Sequence, residues 1–218
     1  MKSLILVAAA AMGFTACQEE LQGDDYANEG NVVVTFVADT PDTKTSVDTS
    51  VDVPKFTWDD SETFAVLEQI GDDELAEATS VAYEKVDGKA KITATFGAGY
   101  YGTNMYQYVT IYPASGYVGA ESLAAATLSL PAEQTMATGS YDPAADLMVS
   151  TILKTTEPPT EAQMVSFTRM AAVVKMTLKN FTLEAGDQVE QVIFTAEGKS
   201  LAGKVSTNLS DPHKFTVV

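Results

Sequence analysis

Carboxylates are abundant in this chain, and several are adjacent, among them three sets: Asp24-Asp25, Asp59-Asp60 and Asp72-Asp73-Glu74. Two carboxylates hydrolyse a glycosidic bond when a cleft holds them about 5 to 10 Å apart, one as acid and the other as base or nucleophile. Neighbouring acids on a loop do not describe that geometry. Hard oxygen ligands would also suit calcium, but none of the three sets has the spacing of a calcium loop. His213 is the single histidine. It follows Pro212 in an expected turn and reads as an ordinary surface residue. There is no Gly-rich phosphate loop, no nucleophile elbow and no His or Cys ligand spacing. The expectation is therefore no enzyme and no catalytic, cofactor-binding or metal-binding residues. Trp58, Tyr100, Tyr101, Tyr106 and Tyr108 could stack on sugars. The preferred reading makes them strand residues with a packed body and a wet hydroxyl.

The remaining reactive group is Cys17, the only cysteine. Met1-Lys2 forms a short positive start, and Leu4 to Phe14 is an uninterrupted uncharged run rich in Leu, Val and Ala. That run is shorter than the roughly 20 residues a membrane-spanning helix needs and fits the apolar stretch of a secretory signal. A standard signal-peptidase site wants small residues at −3 and −1, and Phe14-Thr15-Ala16 before Cys17 suits it badly. Phe14, two small residues and Cys17 resemble a lipobox instead, although Leu is usual where Phe14 stands. A lone cysteine in an exported chain has no internal disulfide partner. Lipidation at Cys17 is expected, with residues 1–16 as the removed signal. Residues 17–30, with Gln18, Glu19, Glu20, Gln22, Asp24, Asp25 and Glu29, have almost nothing to bury and read as an acidic tether.

The chain has 218 residues, 30 of them acidic against 13 basic, for a net charge of −17. Phosphate contacts need Lys and Arg, so nucleic acid is not an expected partner. At 45% hydrophobic residues the chain can build a proper core. From Asn31 onward the apolar pattern has a period of two. Val32, Val34 and Phe36 share one face. Ala90, Ile92, Ala94 and Phe96 share another, opposite Lys91, Thr93 and Thr95. Tyr106, Tyr108 and Tyr112 alternate with Gln107, Val109 and Ile111 in a strand closed by Pro113. Ala172, Val174, Met176 and Leu178 form a later run. Val192 and Phe194 lead to a turn at Glu197-Gly198-Lys199, with Leu201 and Val205 beyond it. Asp-Gly and similar turn signals recur at the spacing of an antiparallel sandwich or barrel. The only helices expected are short, at Asp72 to Thr79 and Glu121 to Ala126. The fold class is all-β.

The Pro/Thr-rich segment 155–161, with Pro158 and Pro159, reads as a linker between an N-terminal β-sandwich over 31–154 and a partial C-terminal one over 162–218. The pattern at Phe215-Thr216-Val217-Val218 stops in mid-strand. The second sandwich is accordingly expected to be truncated or completed by another chain, since a few strands would leave open edges.

The order of these elements carries a resemblance. After the lipobox and acidic spacer come the Val/Phe strand, Asp42-Thr43-Lys44-Thr45-Ser46, Phe56-Thr57-Trp58 with Asp59-Asp60, and an apolar strand from Phe64 to Leu67. Ile111-Tyr112-Pro113-Ala114, Leu130-Pro131-Ala132-Glu133-Gln134-Thr135, Tyr141-Asp142-Pro143 and Val165-Ser166-Phe167 follow. The ordered set resembles the fimbrillin family of Bacteroidota, lipoprotein-derived fimbrial subunits, and the acidic segment resembles the signal that sends their lipoproteins to the cell surface. The resemblance implies two transthyretin-like β-sandwich domains, surface exposure at the outer membrane and assembly by strand exchange with other fimbrial subunits. It also implies proteolysis after the first strand, by position at Lys44, where the family often has Arg. The expected function is a structural subunit of a cell-surface fimbria. The alternative is an uncleaved surface lipoprotein, as fimbrial anchor, tip adhesin or glycan-binding protein. Partners would be fellow subunits, the outer membrane through the lipid, and host proteins or glycans.

Overall fold

A computed structural model describes residues 26–27, 30–39, 46–48, 55–71, 75–97, 100–101, 105–135, 141–172, 174, 182, 184, 187, 189–212 and 214–217. In chain order the strands begin with β1 (Tyr26–Ala27), β2 (Val32–Ala38), β3 (Ser46–Asp48), β4 (Lys55–Thr57), β5 (Ala65–Ile70) and β6 (Leu75–Glu77). Next come β7 (Ser80–Val86), β8 (Lys89–Phe96), β9 (Tyr100–Tyr101), β10 (Tyr106–Tyr112), β11 (Tyr117–Ser122) and β12 (Ala125–Leu130). The remainder are β13 (Met148–Ser150), β14 (Leu153–Thr155), β15 (Gln163–Val165), β16 (Phe167–Arg169), β17 (Gly203–Thr207) and β18 (Phe215–Val217). Short 3-10 turns occupy Ala114–Gly116 and Pro143–Ala145. The all-β expectation is met.

Three sheets form layers. A front sheet has the order β15-β2-β8-β7, a middle sheet β16-β13-β10-β5-β6 with β14 also on β10, and a back sheet β11-β12-β17-β18. All their pairings are antiparallel except β15 on β2, which is parallel. The front sheet follows the period of two: Val32, Val34, Phe36 and Ala38 of β2 and Ala90, Ile92, Ala94 and Phe96 of β8 are buried. The residues between them are half-buried or exposed. Asp87 and Gly88 turn β7 into β8 with φ of 51° and 79°. Both central residues at positive φ match the twist of a hairpin, which is why Asp-Gly marks this bend.

The middle sheet is buried on both faces. Val66, Tyr106, Tyr108, Tyr112 and Met148 pack toward the front sheet, while Ala65, Leu67, Val109, Ile111 and Val149 pack with Leu123, Ala126 and Leu128 of the back sheet region. A strand covered on both sides loses its alternation and becomes a nearly continuous apolar run, as in Tyr-Gln-Tyr-Val-Thr-Ile-Tyr of β10.

Several sequence-based expectations change here. The pairings cross the expected linker at 155–161: β14 reaches Thr155, β15 then joins β2, and β16 joins β13. β17 pairs with β12 along Gly203 to Thr207. Strands assigned by sequence to a second unit thus share sheets with strands of 31–154. Pro158 and Pro159 do interrupt strand structure, but composition does not say which edge the chain rejoins. Neither expected helix forms among the described residues: Leu75–Glu77 is strand, and Glu121 to Ala126 covers the end of β11 and the start of β12. Ladder pairing and burial outweigh the modest helix preference of Ala and Glu. The turn at Glu197-Gly198 is present, with Gly198 at φ 63°, but the preceding Val192 to Phe194 is not strand. Most of the expected strand 171–178 lies outside the described residues.

Candidate functional site

Two arrangements stand out, the seat of β2 and a polar corner beside Trp58. β2 is an interior strand. On one side it pairs with β8 along its full length, from Val32 opposite Phe96 to Ala38 opposite Ala90. On the other, only Phe36 to Ala38 pairs with β15. Four side chains of β2 fill slots in the apolar layer, and Phe36 meets Tyr108 with ring centroids 6.0 Å apart. Outward from these, Val33 is 53% exposed. At the end of the strand Asp39 forms an exposed ion pair with Lys89 Nζ at 2.7 Å.

The polar corner begins at Trp58, which has no exposed surface. Its ring lies 5.6 to 5.7 Å from those of Tyr112, Phe64 and Phe167, edge-on or tilted. The loop after it is tied down by Glu62. The amide of Asp59 donates to Glu62 Oε1 at 2.7 Å, and the Tyr112 hydroxyl donates to Oε2 at 2.8 Å. The Tyr83 hydroxyl donates to the Asp59 carbonyl at 2.6 Å. Burial, then the charge of and hydrogen bond to Glu62, push the Tyr112 phenol far above its ordinary value. Desolvation and the neighbouring Glu62 also raise Asp59.

Beside this corner, Arg169 on β16 meets the fully buried carboxylate of Asp146. Arg169 Nε donates to Asp146 Oδ1, and Nη2 donates to Oδ2 at 2.8 Å and to the Tyr141 hydroxyl at 2.9 Å. Tyr141 in turn donates to Asp146 Oδ2 at 2.7 Å. Burial opposes the charge on Arg169, but the hydrogen bond and charge of Asp146 outweigh it, so the guanidinium is held above its ordinary value. Burial and the adjacent Asp146 raise the Tyr141 phenol. A two-pronged guanidinium–carboxylate pair of this kind fixes orientation as well as charge. It fastens β16 to the segment leading into β13.

The residues singled out by sequence fall into three groups. Cys17, Lys44, His213, Asp24-Asp25 and Asp72-Asp73-Glu74 lie outside the described residues. Asp59 and Asp60 are exposed and serve the loop, Asp60 reaching Lys85 at 3.4 Å. Trp58, Tyr106 and Tyr108 are core residues, which removes them as sugar-stacking platforms because a ring with no open face cannot take a ligand. Tyr100 and Tyr101 form β9 against β1. Sequence reading missed the Arg169–Asp146–Tyr141 cluster, and a lone Arg far along the chain from its carboxylate offers no local signal. Among the described residues no three potential metal ligands lie together, and no helix is long and apolar enough to cross a membrane. Comparison of the chain with protein-family models, curated proteins and solved structures returns no match.

Proposed function

We propose that this chain is a structural subunit of a cell-surface fimbria, exported as a lipoprotein acylated at Cys17 and assembled by β-strand exchange after proteolysis near Lys44. The reading takes the chain to the outer membrane and makes other subunits its main partners. It brings with it the finer fold assignment of two transthyretin-like sandwiches, which would have to be drawn with the middle sheet covered on both faces. No enzymatic role is part of it.

The observation that carries the reading is the place of β2. It is the first long strand, it lies inside the front sheet, and it supplies Val32, Val34, Phe36 and Ala38 to the core. A cut after Lys44 would leave this strand attached only by its ladder and its slots. Burying Val32, Val34 and Phe36 contributes about 1.5 to 3 kcal/mol each, an upper figure because unfolded chains are partly collapsed. The sum of about 5 to 9 kcal/mol rivals the stability of a typical domain, about 5 to 15. A subunit without β2 would expose the β8 edge and empty slots. A strand from a neighbour would restore both, and assembly would need no external energy source.

The test is the N-terminus of the protein recovered from native cell envelopes, read by mass spectrometry. A mature start at Thr45 is expected. A start at acylated Cys17 would favour the alternative, an uncleaved anchor, tip or glycan-binding lipoprotein, whose sugar contacts would have to come from residues other than Trp58. An unmodified start elsewhere overturns export through Cys17.

A further inference from the structure

Glu68 lies where an acid is costly. It sits in β5 between Val66 and Ile70, on the face that packs toward the front sheet, and is 4% exposed. Its Cα partners are Tyr108 in β10 and Ala76 in β6. Tyr108 lies beside the carboxyl and favours its charged form, but less than burial disfavours it, and Oε1 has no hydrogen-bond partner among the described residues.

Among the described residues the surrounding elements bring no cation. From β10 the inward titratable groups are Tyr106, Tyr108 and Tyr112, and β6 presents Ala76. β2 and β8 present only Val32, Val34, Phe36, Ala38, Ala90, Ile92, Ala94 and Phe96. β7 adds Tyr83, and the loop before β5 adds Glu62, itself an acid. The lysines of the neighbouring strands point outward: Lys91 pairs with Glu84, Lys85 with Asp60 and Lys89 with Asp39 on the exposed surface, and Lys154 of β14 is exposed. Arg169 is taken by Asp146. A carboxylate in apolar surroundings without a counter-charge strongly prefers to stay protonated.

We infer that Glu68 is a pH-sensitive element built into the fold: packing of the front and middle sheets around it favours its neutral form, and its ionisation works against that packing. Desolvation raises its pKa more than the adjacent Tyr108 lowers it. The sign follows directly. Below the unfolded value, about 4.3 for Glu, the group is protonated in both states and its contribution to stability is at its highest. As pH rises, the unfolded chain releases the proton first and gains, so the folding constant falls about tenfold per pH unit until the folded group also titrates. Above that the loss is complete. An ion-paired carboxylate behaves the opposite way, being stabilising at neutral pH and lost in acid.

The experiment compares urea unfolding of the full chain and of Glu68→Gln from about pH 4 to about pH 8 by circular dichroism. Taking the ratio of the two unfolding constants cancels the general charge repulsion of so acidic a protein. The wild type should lose stability relative to the amide variant as pH rises, about tenfold per unit within the window. A ratio that stays flat across the range overturns the inference. Should the amide variant fail to fold, the carboxyl carbon resonance of Glu68 in the folded wild type decides it. A midpoint above about 4.3 supports the inference, and one at or below that value overturns it.

Discussion

Replacing Trp58 separates a core residue from a binding residue. Trp58 is the single tryptophan, has no exposed surface, and touches three aromatic rings at 5.6 to 5.7 Å. Removing a fully buried large aromatic costs about 3 to 5 kcal/mol through lost transfer energy and the cavity left behind. A typical domain holds only about 5 to 15 kcal/mol, so Trp58→Ala should forfeit roughly a fifth or more of the total. Trp58→Phe keeps a ring in the cluster and leaves a smaller void, near 24 cal/mol per Å³ of residual cavity. It also discards an indole N–H that has no acceptor in the core, which offsets part of the loss. A net cost of about 1 to 2 kcal/mol is expected for Phe. Because the variants lack the fluorophore, unfolding is followed by far-UV circular dichroism in urea, with the slope checked for constancy. In the wild type, Trp58 emission should be blue-shifted and resist quenching by acrylamide. An alanine variant with the wild-type midpoint, or free quenching of the native indole, would refute the reasoning.

Two further perturbations test the layers. Val33→Asp should change stability by less than about 0.5 kcal/mol, because its side chain faces outward, whereas Val34→Asp, at 0% exposure, should cost more than about 4 by burying an unpaired charge. Chemical unfolding of the pair, one residue apart, reads the alternation directly. Arg169→Met should cost about 3 to 5 kcal/mol because it strands the buried Asp146 carboxylate, and adding Asp146→Leu should recover part of that loss. The double-mutant cycle checks this through a coupling energy well above the few tenths seen for distant residues.

Much of the fold was legible in the chain because a period of two is a local property. Val32, Val34 and Phe36, and likewise Ala90 to Phe96, announce strands with one covered face whatever the partner. Asp87-Gly88 announces its hairpin because two residues at positive φ are required there. The expectations that changed share a different cause. β10 and β5 looked like strands of a two-layer sandwich, and their second apolar set, Val109, Ile111, Ala65 and Leu67, was the sign of a third layer. Only the folded chain shows that β11, β12 and β17 supply it. Residues 163–169 follow a Pro/Thr segment that reads as a boundary, yet they close the edges of the front and middle sheets.

The polar clusters follow the same division. Nothing local distinguishes Asp146, Glu62 or Glu68 from the many exposed acids of this chain, since the character of each depends on what the fold brings to it. Arg169 comes to Asp146, Tyr112 comes to Glu62, and among the described residues no cation comes to Glu68. The sequence by itself determined which residues alternate, where the chain turns and how acidic the surface is, because these depend on near neighbours. Tertiary structure decided which faces are covered and which carboxyls are buried, because desolvation and pairing energies arise only where distant segments meet.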